Sequence, residues 1–293
     1  MCDTCGCNVT PGNAHLVTGD GRHARTADGQ ASVEVLSNLL GENNHQAAHN
    51  RQHFAAHGVL AINLMSSPGA GKTSLLEATI DALAGETRIA VIEGDLETEN
   101  DAERIRARGV PAIQIATGSA CHLDAHLVHD ALHHLDLEQI DLLFIENVGN
   151  LVCPASFDLG QHRHVALLSV PEGDDKPAKY PVMFRTADLV LLTKTDLLPV
   201  LEDFSPDRAE TYLRQLATEV PFLQVASRGK APDIAPWLDW LRAQLSAARA
   251  DMELQAQHVP HAHHHDHGHG HQHTHHHAHH HGPHHAHGHS HHD

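Results

Sequence analysis

The chain has 293 residues, 41% of them apolar, which is enough for one large α/β domain or two small ones around a real core. With 19 basic and 37 acidic residues its formal net charge is −18 with histidine neutral, and aromatics make up only 3%, so neither the basic footprint nor the stacking platforms of a nucleic-acid binder are present. No apolar run approaches the roughly 20 residues of a membrane helix, and the opening Met1-Cys2-Asp3-Thr4-Cys5-Gly6-Cys7 has neither the basic nor the apolar region of a secretory signal; the expected setting is the cytoplasm, with no membrane and no nucleic acid as partner.

Residues 1–32 are polar and weakly patterned, and read as a Cys-rich metal tip on a flexible linker. Residues 33–57 are predicted to be helical, from Val35, Leu36, Leu39 and Leu40 near helical spacing. From 58 to 250 short apolar runs alternate with helical stretches. Strands are predicted at 59–65, 88–92, 112–116, 142–145, 164–170, 189–193 and 222–226, and helices at 73–84, 100–108, 123–135, 206–219 and 234–249. This alternation predicts an α/β fold, a mostly parallel sheet flanked by helices. Residues 251–293 form a tail with 21 of the 34 histidines between 258 and 293 and no Lys or Arg there; its composition cannot bury a core and predicts disorder.

The first predicted strand runs into Ser66-Ser67-Pro68-Gly69-Ala70-Gly71-Lys72-Thr73 and then into a helix, which is the context of a P-loop NTPase. Gly69 and Gly71 let backbone N–H groups turn toward phosphates at a helix N-terminus. Lys72 is placed to reach the β- and γ-phosphates and Thr73 to ligate Mg²⁺. Ser67, Pro68, Ala70 and Ser74 complete the candidate phosphate cradle. Ser66 stands where the motif's first glycine would be. Asp95 and Glu146 end two further strands on the phosphate side, as candidate Mg²⁺-shell acids, and Gly149 can bring an amide to the γ-phosphate. Thr193-Lys194-Thr195-Asp196 resembles the guanine-recognition motif of GTPases, with Thr193 in place of the usual Asn. The Asp196 carboxylate matches the paired donors of guanine, which adenine lacks. Ser227, in Ala226-Ser227-Arg228, is the candidate for a second base-contacting loop.

Three groups of soft or borderline donors stand out. Cys2, Cys5 and Cys7 can wrap three thiolates around one ion, and removal of Met1 would add the α-amine as a fourth donor; the set suits square-planar Ni²⁺ and also Zn²⁺. A redox C-x-x-C is the competing reading, but such motifs open a helix in a βαβ unit. Cys121, His122 and Cys153 project from the same sheet edge as the nucleotide. Three ligands are too few for a closed tetrahedral site, and pairing across a dimer can complete the shell. Taken alone, Cys121 and Cys153 would read as buried structural thiols. His126, His129 and His133 read as a solvated helical face. The tail, with His263, His264 and His265 among many, suits several Ni²⁺ or Zn²⁺ ions.

Taken together, Cys-x-x-Cys-Gly-Cys at 2–7, Ser-Ser-Pro-Gly-Ala-Gly-Lys-Thr at 66–73, Glu-Gly-Asp-Leu-Glu-Thr at 93–98, Cys-His-Leu-Asp-Ala-His at 121–126, Glu-Asn-Val-Gly-Asn-Leu-Val-Cys-Pro-Ala at 146–155 and Thr-Lys-Thr-Asp-Leu-Leu-Pro at 193–199 resemble the HypB family, GTPase accessory proteins that help insert nickel into NiFe-hydrogenase. The resemblance covers roughly residues 1–8 and 33–245. It implies a slow GTPase using GTP and Mg²⁺, nickel as the delivered metal and a GTP-dependent homodimer. It implies as partners other hydrogenase maturation proteins and the hydrogenase large-subunit precursor. It further implies a tight nickel site at Cys2, Cys5 and Cys7 and a weaker one at Cys121, His122 and Cys153, at the dimer interface. Some relatives carry their His-rich stretch just after the N-terminus; here it is C-terminal, which leaves delivery and storage both open. The alternatives are a nickel store with a vestigial NTPase and an accessory GTPase for another nickel enzyme such as urease.

Overall fold

The computed structural model describes residues 32–95, 100–118, 120–216, 219–229 and 231–257. The Cys2, Cys5 and Cys7 tip and the tail histidines, His263, His264 and His265 included, lie outside the described residues.

Seven strands form one sheet in the order β3-β2-β4-β1-β5-β6-β7, with every adjacent pair parallel. In chain order the elements are α1 (Ser32–His57), β1 (Leu60–Ser66), α2 (Lys72–Ala82), β2 (Ile89–Asp95), α3 (Asn100–Arg106), β3 (Ala112–Ala116), α4 (Ala125–Leu132), β4 (Leu142–Glu146), β5 (Arg163–Ser169), α5 (Lys176–Lys179), α6 (Pro181–Thr186), β6 (Leu189–Thr193), α7 (Pro206–Gln215), β7 (Phe222–Gln224) and α8 (Ala235–Gln257). The seven predicted strands are all present. The short helices α5 and α6, each opened by a proline in its first turn, are additional to the predicted ones. α8 runs to Gln257, beyond the boundary at 250 that composition suggested.

Side chains alternate across the pleat and so divide the core. From β1, Leu60, Ile62 and Leu64 face Leu75, Leu76 and Ile80 of α2 and Trp237 and Leu241 of α8. Ala61 points the other way, into a cluster with Phe54 of α1 and Val128 and Leu132 of α4. Further along the sheet, Met183 and Phe184 of α6 and Leu213 of α7 cover β5 and β6. Both faces are thus buried, which is why the central strands read as continuous apolar runs. Among the described residues no helix is long and apolar enough to cross a membrane.

The chain order reverses at β1, whose neighbours are β4 and β5. In an open parallel sheet the crevice at such a reversal, beyond the strand C-termini, is where a ligand fits. The phosphate-loop sequence follows β1 directly.

Candidate functional site

Between β1 and α2 the backbone turns through Gly69 and Gly71, both at positive φ (74° and 100°). At such angles a side chain would be strained, so glycine is what permits the loop. Lys72 and Thr73, the first residues of α2, are buried. The Lys72 ammonium donates to Ser66 Oγ at 3.1 Å and lies 3.8 Å from Glu146 Oε1. Ser66, the departure from the phosphate-loop motif, is therefore a resting partner for the lysine. Thr73 Oγ1 donates to Glu146 Oε1 at 3.0 Å.

The carboxylates that converge here are Glu93, Asp101 and Glu146, whose oxygens approach within 4.8 Å of one another. Glu93 and Glu146 are register partners on β2 and β4, both nearly inaccessible. Burial first, and then the neighbouring Glu146 charge, push Glu93 up to about 11. Burial likewise raises Glu146, opposed by Lys72 and by hydrogen bonds from Glu93 and Thr73. The pair therefore shares a proton. One oxygen on each, Oε2 of Glu93 and Oε2 of Glu146, is buried without a hydrogen-bond partner. Unpaired carboxylate oxygens beside a threonine hydroxyl are the donor set of a hard divalent cation, so these residues fit Mg²⁺. Asp95 ends β2 and lines the same cavity, and its carbonyl accepts from Thr117 N at 2.9 Å. Sequence reasoning chose Asp95 and passed over Glu93 and Asp101. The available signal was a glutamate two residues before Asp95, in an otherwise apolar strand.

The segment Thr193–Asp196 closes the far side. Lys194 has positive φ (59°), which turns the chain sharply after β6. Thr193 is buried, and its hydroxyl donates to the Ala70 carbonyl at 2.7 Å, tying β6 to the phosphate loop. The threonine standing for asparagine thus buttresses that loop. Lys194, Asp196, Ser227 and Arg228 join Pro68, Gly69, Gly71, Lys72, Thr73, Ser74 and Gly149 around one cavity of about 560 Å³. Arg228 Nε donates to Ser74 Oγ at 3.3 Å. Ser67 and Ala70 belong to the loop, Ala70 buried and Ser67 Oγ buried without a hydrogen-bond partner.

Cys121, His122 and Cys153 also come together, with ligand atoms within 4.8 Å of one another. The two sulfurs are 2.8 Å apart, and Cys121 Sγ is 3.6 Å from His122 Nδ1. His122 is buried and stacks on Phe157 at a centroid distance of 3.9 Å. Its burial lowers its pKa, so it is neutral and able to ligate at pH 7.

One short segment joins the two clusters. Residues 146–153 begin with Glu146, held by Thr73 and Lys72, and end with Cys153. Between them, buried Asn147 Oδ1 accepts from Leu123 N at 3.1 Å, gripping the loop that carries Cys121 and His122. A Cβ on Gly149 would meet Pro68 Cα at 2.7 Å, so only glycine allows this close approach to the phosphate loop. Asn150 Oδ1 accepts from Val152 N at 2.7 Å and Cys153 N at 3.3 Å. Asn147 and Asn150 were not singled out from sequence.

The fold and this pocket define a nucleotide-binding domain of the P-loop class. The CobW/HypB/UreG nucleotide-binding-domain model matches residues 60–224. The hydrogenase maturation factor HypB of Azotobacter vinelandii is 50% identical over 233 residues, covering 79% of this chain and 76% of that relative. HypB of Escherichia coli strain K12 is 49% identical over 238 residues, covering 80% and 81%. The crystal structure of Helicobacter pylori HypB in complex with nickel superposes with a TM-score of 0.66 at 41% identity, covering 70% of this chain and 96% of that one. The chain belongs to the HypB family of hydrogenase maturation factors.

Proposed function

We propose that this protein is a GTP-hydrolysing nickel metallochaperone for hydrogenase, in which the nucleotide sets the geometry of the Cys121–His122–Cys153 site. The observation that carries the reading is the continuous 146–153 segment, anchored on the phosphate loop at one end and on the thiol cluster at the other. The nickel complex of the Helicobacter pylori relative supports nickel as the cargo.

The phosphates of GTP lie against the 69–73 backbone, where N–H groups and the α2 N-terminus meet their charge. Lys72 exchanges Ser66 Oγ for a phosphate oxygen. Asp196 accepts from the guanine edge. Thr73, Glu146 and Glu93 would hold Mg²⁺, with Asp95 beside them; when bound, that ion would neutralise charge on the transferred phosphoryl group. Loading the site requires the Glu93–Glu146 proton to leave. Hydrolysis then releases Glu146 and Gly149 from their phosphate-side contacts, and the change in position passes along Asn147 and Asn150 to the cluster. The cluster offers three ligands, and a second copy completes the shell in a GTP-dependent homodimer. The cargo then passes to other hydrogenase maturation proteins and to the large-subunit precursor.

The test has two arms. The purified chain should hydrolyse GTP well above ATP, and Asp196→Ala should erase that preference. In a cell lacking its own family member, the wild type should restore hydrogenase activity at limiting nickel and Lys72→Ala should not. Full rescue by Lys72→Ala would instead support a nickel store, and rescue of urease alone would move the client.

A further inference from the structure

A second group of nitrogen donors lies between α1 and α4. His49, His53 and His57 are four residues apart on α1 and so share one of its faces. His129 lies on α4, with His133 at its C-cap. The rings meet across the seam: centroids are 4.9 Å apart for His49 and His129, 5.4 Å for His53 and His129, and 4.7 Å for His49 and His53. One ring nitrogen from each of His49, His53 and His129 lies within 4.8 Å of the others. The sequence pattern had placed His129 on a solvated face. Its half-burial against α1 follows from two asparagines that dock the helices, Asn43 Oδ1 accepting from Ala125 N at 2.9 Å and Asn50 Nδ2 donating to Ala125 O at 2.8 Å.

Asn50 also fixes the tautomer of His129. It is fully buried, and its Nδ2 is committed to the carbonyls of Ala125 and Leu159. Its Oδ1 therefore faces His129 Nδ1, at 3.1 Å. An amide oxygen only accepts, so Nδ1 carries the hydrogen and Nε2 keeps its lone pair. This is the support that a ligating histidine receives in metal sites, an outer acceptor that orients the ring and raises its basicity. Burial, then the neighbouring rings, lower the pKa of both His53 and His129, leaving neutral donors at pH 7.

We propose that His49, His53 and His129 form a binding site for a late divalent transition-metal ion, bridging α1 and α4. Nitrogen–metal bonds of about 2.0–2.1 Å place ligand atoms about 3.3 Å apart, so the rings must draw together from the present span to close on an ion. Three imidazoles suit Ni²⁺, Cu²⁺ or Zn²⁺ and reject Mg²⁺ and Ca²⁺. The positions left to water make the site open and exchangeable. It is distinct from the thiol cluster, although α4 begins three residues after His122.

The test is residue-resolved histidine modification by diethyl pyrocarbonate, read by mass spectrometry on the full metal-free chain titrated with Ni²⁺ alone. His49, His53 and His129 should become protected together, at lower Ni²⁺ than the exposed His45 and His126. In His53→Ala, and independently in His49→Ala at the surface, the remaining two should lose that protection and behave like His126. Mg²⁺ should protect none of them. Protection of the three no different from that of His126, or protection of His129 unchanged in both variants, would overturn the site.

Discussion

The phosphate loop and the Cys121–His122–Cys153 cluster lie beyond the same ends of the same parallel sheet, but they are built differently. The loop is one unbroken stretch from Ser66 to Ser74, whose geometry follows from two glycines and a helix start. The cluster joins residues 32 positions apart, and two asparagine side chains hold its loops in place. A contiguous device carries its function in its own sequence, whereas an assembled one depends on buried polar bridges that look ordinary in sequence. The sharpest way to separate the two is to damage each and read the other.

Lys72→Ala removes the charge proposed to meet the phosphates, and kcat for GTP should fall by on the order of 10²–10³-fold. Nickel affinity at the cluster without nucleotide should be unchanged, as read by thiolate charge-transfer absorption. Asn147→Ala is the converse. It leaves the Leu123 amide without its acceptor inside the fold. Nickel affinity at the cluster should fall by about 10–100-fold, since such supporting groups carry that much of a metal site. Nucleotide affinity should move far less; an equal loss of both would mean the two ends are not separable.

The Glu93–Glu146 pair sharpens the comparison through pH. Glu93 is protonated in the fold well above the ordinary carboxylate range, so the folded state holds a proton that the unfolded state has lost. A raised acid pKa makes stability fall as pH rises above about 4.5, by up to about 1.4 kcal/mol per pH unit, until the folded group itself ionises. Chemical denaturation of the nucleotide-free chain across pH 5–9 should show this slope. Glu93→Gln should flatten it, and GTP with Mg²⁺ should flatten it in the wild type. Thr193→Val is the mildest change. It removes one buried hydrogen bond to the phosphate loop and should cost about 1 kcal/mol, read as a several-fold rise in KM for GTP with little change at the cluster.

Most of the sheet was legible because parallel strands buried on both faces are apolar throughout, and β3 and β6 fall where predicted. α1 was legible as a helix but not in its purpose. Among its described side chains from residue 40 onward, the buried positions Asn43, Ala47, Asn50 and Phe54 hold the helical spacing, yet two of these four are amides, so hydrophobicity alone does not mark that docking face. The helices α5 and α6 are too short for periodicity to register. In the pocket, Glu93 was hidden by its place two residues inside a strand, where the pairing with Glu146 exists only in the register. The histidines of α4 show no partner in sequence because their partners are some 80 residues away on α1.

The central claim is that the nucleotide state of the phosphate loop sets metal affinity at the cluster. The direct measurement is a Ni²⁺ titration of the full chain and of its Cys153→Ala variant, each run with GDP and with a non-hydrolysable GTP analogue. The signal lost in Cys153→Ala belongs to the cluster. Its affinity should differ between the two nucleotides, and nickel should shift nucleotide affinity by the same factor. An affinity identical in both states would contradict the account, leaving the 146–153 segment as a structural tie and not a switch.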